Sequence, residues 1–103
     1  MKKNLLAIAA ITLSAVSAPS WADQALATAK NCMACHALDH KVVGPAYKDV
    51  AAKYANDKGA VDKLAAKILK GGSGVWGAMP MPANAQVSEA EAKKLAAWVL
   101  TIK

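Results

Sequence analysis

Two thiols and an imidazole fall within one five-residue run, Cys32-Met33-Ala34-Cys35-His36. On a short helical turn, side chains three apart project to the same side. Cys32 and Cys35 can therefore each add to one vinyl group of a haem. His36, the next residue, then presents its imidazole to the iron. C-x-x-C-H is the c-type haem attachment signature: a covalent clamp with a built-in axial ligand. Other uses of these residues fit less well. A thioredoxin-like redox pair needs a βαβ setting, which the sequence lacks. A zinc site from Cys32, Cys35, His36 and His40 would crowd chain neighbours onto one tetrahedron. A plain structural disulfide leaves His36 without a role.

The sixth ligand of such an iron must come from the other face of the ring. His40 follows His36 by four residues, which places both on one side of a helix, so His40 reads as solvated. Residues 71–87 offer Met79 and Met81. This stretch holds Gly71, Gly72, Gly74, Gly77, Pro80 and Pro82 and shows no helical or strand pattern, yet it carries Val75 and Trp76 as well. Loops this long are uncommon in compact domains unless functional or disordered, and an apolar loop needs an apolar object to wrap. A thioether trans to histidine is the arrangement of electron-transfer haems and raises the reduction potential. Either methionine can serve. The prolines on both sides of Met81 would stiffen the chain there, and Met79 also suits a filler against the ring.

Helices must position these groups. Asp23 to Lys30 reads as a short helix with its acid at the start and its lysine at the end. Pro45 suits a first turn, and Tyr47, Val50, Ala51 and Tyr54 follow at i, i+3, i+4, i+7. Asn56 to Gly59 is a turn. Val61, Leu64, Ala65 and Ile68 repeat the spacing up to Gly71-Gly72. Ser88 with Glu91 forms a capping box ahead of a stripe of Leu95, Trp98, Val99 and Ile102.

The 103 residues contain 13 lysines and no arginine against 7 acids, a formal charge of +6. This length excludes a multidomain enzyme. Lys2 and Lys3, the apolar run Leu5 to Val16, Pro19 and the small residues Ser20 and Ala22 have the order of a secretory signal peptide, too short to span a bilayer. Cleavage after Ala22 would leave a domain at 23–103. The leader takes two of the thirteen lysines and none of the seven acids, so the mature charge is +4. A chain this small usually carries a staple, and with no phenylalanine in it a non-protein group at its centre is expected. The lysines are spread without an aromatic–basic patch, which argues against nucleic-acid binding.

From about Leu26 to Lys103 the chain resembles the small bacterial class I cytochromes c of the c-551/c-552 (cytochrome c8) type. The resemblance rests on CMACH at 32–36, VGPAYKDVAAKYA at 43–55, GGSGVWG at 71–77, PMPAN at 80–84 and the final AWVLTIK. It implies an all-α fold of about four short helices around one covalent haem c, with His36 and Met81 as axial ligands. It further implies that the Pro45 carbonyl accepts from the second ring nitrogen of His36, that Trp76 donates to a haem propionate, and that Asn84 hydrogen-bonds near the methionine sulfur. Ala83 and Lys67 depart from the usual pattern, and the turn from Asn84 to Val87 is one residue longer. The implied function is one-electron shuttling in the periplasm by a monomer that is not an enzyme. Its donor would be of the quinol–cytochrome c reductase kind, and its acceptor a terminal oxidase, nitrite reductase or peroxidase. Lysines around an exposed haem edge would steer it toward an acidic partner. The alternative is a five-coordinate haem that binds small gases or acts as a weak peroxidase.

Overall fold

The computed structural model describes residues 20–103; the apolar run of the expected leader, Leu5 to Val16, lies outside them. Four α-helices follow in order: α1 (Ser20–Ala29), α2 (Tyr47–Lys53), α3 (Ala60–Lys70) and α4 (Glu89–Val99). A 3₁₀ turn at Cys32–Ala34 lies between α1 and α2. A small antiparallel pair, β1 (Gly72–Gly74) and β2 (Gly77–Met81), lies between α3 and α4.

Helix α4 is the hub, packed on α1, α2 and α3. It starts where expected: the Ser88 side chain accepts from the Glu91 N–H at 3.1 Å, and Glu91 accepts from the Ser88 N–H at 3.0 Å. Its buried Ala92, Leu95, Ala96, Trp98 and Val99 form the centre of the core. Alanines at 27, 65, 92 and 96 are buried in the same cluster. Small side chains there let the helices approach closely around Tyr47 and Trp98. Helix α3 differs. Ala65 is buried, but Val61, Leu64 and Ile68 of the same stripe are only half covered.

Two helix starts shift from expectation. Helix α1 begins at Ser20 rather than Asp23. Helix α2 begins at Tyr47 with Ala46 as its N-cap, so Pro45 precedes the helix instead of occupying its first turn. Ala46 offers no capping side chain. The preceding loop caps α2 in its place: Tyr47 N–H donates to the Ala37 carbonyl at 2.9 Å and Lys48 N–H to that of Leu38 at 3.0 Å, which satisfies donors that a helix start leaves free.

The larger departure is at 71–81. The segment read as lacking strand pattern is a hairpin, with Gly72 paired to Met81 and Gly74 to Gly77 and an irregularity between. Gly, Ser and Pro give no side-chain alternation, so the pairing rests on backbone geometry. Gly71 shows why. It ends α3 at φ 70°, ψ −168°, a region essentially reserved for glycine. A Cβ there would strike the Met81 carbonyl oxygen and come within 2.8 Å of the Ala83 nitrogen. The missing side chain lets the end of α3 lie directly against the strand that carries Met81.

Candidate functional site

The site begins where α1 stops. Asn31 takes a left-handed conformation (φ 66°), tolerated by asparagine better than by most residues, and turns the chain into the 3₁₀ segment. Cys35 and His36 N–H groups both donate to the Cys32 carbonyl, at 3.2 and 3.1 Å. The loop then folds back: Val43 and Gly44 N–H groups donate to the Cys35 carbonyl at 3.1 and 2.7 Å. The C-x-x-C-H run is thus pinned by main-chain bonds on both sides.

Three contacts orient the His36 imidazole. Its Nδ1 lies 2.8 Å from the Pro45 carbonyl oxygen. A carbonyl only accepts, so Nδ1 carries the hydrogen, which leaves Nε2 as the lone-pair nitrogen of the neutral tautomer. The ring stacks on Tyr47 with centroids 4.8 Å apart and planes at 19°. Tyr47 in turn meets Trp98 of α4 edge to face, at 5.5 Å and 76°. Gly44 completes the seat: a Cβ at this position would lie 2.5 Å from the His36 Cε1. Sequence reading placed Tyr47 in the core stripe and missed its stacking on His36. No local signal could have shown it, because the contact depends on how loop 37–45 returns.

One cleft of about 290 Å³ gathers the chemistry. Its wall includes Cys32, Cys35, His36 and Pro45 from the attachment segment, Leu64 and Ile68 from α3, and Trp76, Met79 and Met81 from the hairpin. Leu64 and Ile68 of the half-covered α3 stripe are therefore cleft lining, while Val61 packs against the core. Val43, Val75, Trp76 and Met79 belong to the same wall and stay largely uncovered by the polypeptide, Met79 at 67% exposure. Met81 is half-buried. Lys53 places its Nζ 5.5 Å from the Trp76 ring centroid, a contact between α2 and the hairpin that the sequence did not suggest. Asn84 is not on the wall. Its Nδ2 donates to the Ile68 and Pro82 carbonyls at 2.9 and 3.3 Å. His40 is exposed and lies 2.9 Å from Asp39. A second depression, bounded by Gln24, Leu38, Trp98, Thr101 and Ile102, contains no thiol, imidazole or thioether.

The residues present fit a haem. The cleft is mostly apolar, with two free, half-buried thiols and one oriented imidazole on its wall. Burial pushes the Cys32 thiol up, outweighing the opposing contact with Tyr47, so it stays protonated at neutral pH. A neutral thiol would supply both the sulfur and the hydrogen that a vinyl group needs to become a thioether.

The sequence model of the cytochrome c family matches residues 23–103. This chain belongs to the cytochrome c family. The cytochrome is 57% identical to cytochrome c-552 of Hydrogenobacter thermophilus over 103 residues, covering all of both chains. It is 56% identical to cytochrome c-551 of Pseudomonas aeruginosa over 86 residues, 82% of each. The crystal structure of wild-type cytochrome c552 from Nitrosomonas europaea superposes with a TM-score of 0.76 at 57% identity, covering 78% of this chain and 99% of that one. The fold is that of class I cytochromes c, with the small sheet added to four helices. As a member of this family, the cytochrome binds one covalent haem c, with its cysteines in the attachment spacing, and acts as a small electron carrier.

Proposed function

We propose that this cytochrome c is a soluble periplasmic one-electron carrier whose haem iron is held between His36 and Met81. The observation that carries the reading is the single cleft that brings the C-x-x-C-H segment and the Met81 strand onto one wall. When bound, the haem supplies the Fe³⁺/Fe²⁺ couple. The protein supplies geometry. Cys32 and Cys35 would hold the ring through thioethers. His36 presents Nε2, because its Nδ1 hydrogen is committed to Pro45; that bond also makes the imidazole a stronger donor toward a metal. The Tyr47 and Trp98 rings brace the imidazole from the core.

Met81 is favoured over Met79 by its setting. It is half-buried and paired with Gly72, whereas Met79 is the more exposed of the two. Pro80 and Pro82 fix φ on both sides of it. Trp76 is the indole that would donate to a propionate, and Asn84 holds the strand end beside Met81. With His36 and Met81 both holding the iron, substrate would have no place at the metal, and the work left would be electron transfer with little change of shape.

Lys41 and Lys67 lie on the cleft wall with exposed Val43, Val75, Trp76 and Met79. An apolar rim with positive charge fits transient docking to acidic redox partners, with rates that fall as salt rises. A quinol–cytochrome c reductase fits as donor; a terminal oxidase, nitrite reductase or peroxidase fits as acceptor. Export by a leader removed after Ala22 places the monomer in the periplasm.

The ferric absorption band that reports sulfur bonded to iron tests the ligand set. We expect it in the wild type, retained in Met79→Ala and abolished in Met81→Ala. Loss in Met79→Ala with retention in Met81→Ala would overturn the choice. Absence from the wild type, with ready carbon monoxide binding when reduced, would point to the five-coordinate reading.

A further inference from the structure

Pro80 and Pro82 bracket Met81, and neither has an N–H. At those two positions the chain can therefore hydrogen-bond only as an acceptor, to donors brought from elsewhere. One such donor is Asn84 Nδ2, which reaches the Pro82 carbonyl at 3.3 Å and the Ile68 carbonyl at 2.9 Å. An asparagine amide can turn over and exchange its oxygen and nitrogen. The Ile68 and Pro82 carbonyls hold its nitrogen side, and Gln86 holds its oxygen side, with Nε2 donating to Asn84 Oδ1 at 3.1 Å. Gln86 is itself fixed by a reciprocal clasp with the end of α1. The same Nε2 donates to the Lys30 carbonyl at 3.1 Å, and Lys30 Nζ donates to the Gln86 carbonyl at 3.0 Å. Lys30 lies two residues before Cys32. A chain of side-chain hydrogen bonds thus runs from the covalent attachment segment, through Gln86 and Asn84, to the residue that follows Met81.

We infer that Gln86 is a positioning residue for the methionine ligand: its amide fixes Asn84 and ties the Met81 strand to the haem-bearing segment. The inference rests on Met81 being the sixth ligand. Its chemistry is specific, because Gln86 acts by donating. Both groups that face its Nε2, the Lys30 carbonyl and Asn84 Oδ1, are acceptors. A carboxylate of the same shape would repel both, even though Lys30 stands close enough to pair with it.

The test uses the holoprotein and an added ligand, imidazole, that competes with Met81 for ferric iron. Competition requires the methionine strand to open, so the apparent affinity scales with the population of the open form. Two exposed hydrogen bonds of ordinary strength set the scale, and Gln86→Ala should bind imidazole roughly three- to ten-fold more tightly. Gln86→Glu should bind it at least as tightly as Gln86→Ala. A Lys63→Ala control, which removes a surface ion pair with Asp57 away from this chain, should leave imidazole binding unchanged. The amide exchange of Asn84 should quicken in the Gln86 variants and not in the control. If Gln86→Glu binds imidazole like the wild type, the residue acts through charge or bulk, and the positioning role is overturned. If Gln86→Ala itself matches the wild type, the clasp does not restrain the ligand. A wild-type protein without the sulfur–iron band would instead overturn the methionine reading beneath the inference.

Discussion

The helical base and the hairpin arm of this cytochrome are built on different principles. In the base, α4 buries Leu95, Trp98 and Val99 against α1, α2 and α3, so polypeptide covers polypeptide. In the arm, every residue from Gly72 to Pro80 is exposed, although Val75, Trp76 and Met79 are large and apolar. The arm owes its course to glycine backbone, two prolines and a few tethers, and it turns its apolar side chains toward the cleft. The base can stand on side-chain packing. The arm acquires its partner only when an apolar ring lies in the cleft. The difference puts the packed core in one region and much of the cleft's exposed apolar lining in the other.

The strongest challenge to this division is a change in the base. Trp98→Ala removes a buried ring that also backs Tyr47. Such truncations cost about 3–5 kcal/mol, and denaturant unfolding should show the loss for the whole molecule. Loss confined to the hairpin would mean that the two regions are not separable in this way. A smaller change aims at the arm. Gly71→Ala forces a side chain into a glycine-only conformation and against the Met81 carbonyl. Strain of this kind costs roughly 1–3 kcal/mol. It should appear as faster amide exchange in the hairpin and a weakened sulfur–iron band, with helix α4 protected as before. The smallest effect concerns the start of α4. The Ser88 N–H, and Lys30 beside it, hold the Glu91 carboxyl below its ordinary 4.5. Because the folded value is lowered, the contribution is complete above 4.5 and is lost as pH falls through the lowered value. Exchange at the first turn of α4 should quicken over that acid range, and Glu91→Gln should remove the step while leaving the hairpin unaffected.

The sequence made the base legible and the arm only partly so. The stripes at 47–54 and 95–102 and the Ser88–Glu91 box are local signals, and local hydrogen bonding and burial produced those helices. The attachment run was legible because its chemistry demands adjacent residues. The hairpin was not, because Gly72, Ser73, Gly74 and Pro80 carry no alternation and its register follows from backbone conformation. Tyr47 stacked on His36, Lys53 over Trp76, and the Lys30–Gln86 clasp across 56 positions were hidden for a different reason. Each joins residues on separate segments, and only the folded chain brings them together. The resemblance of PMPAN to the class I pattern supplied a role for Asn84 but said nothing of what orients it.

Mass spectrometry of the secreted protein, intact and after digestion, tests whether this cleft is a haem clamp. The account predicts a chain beginning at Asp23 that carries one haem, with the added mass confined to the peptide containing Cys32 and Cys35 and neither thiol open to alkylation. A polypeptide of unmodified mass, with both cysteines alkylated or joined to each other, would contradict it.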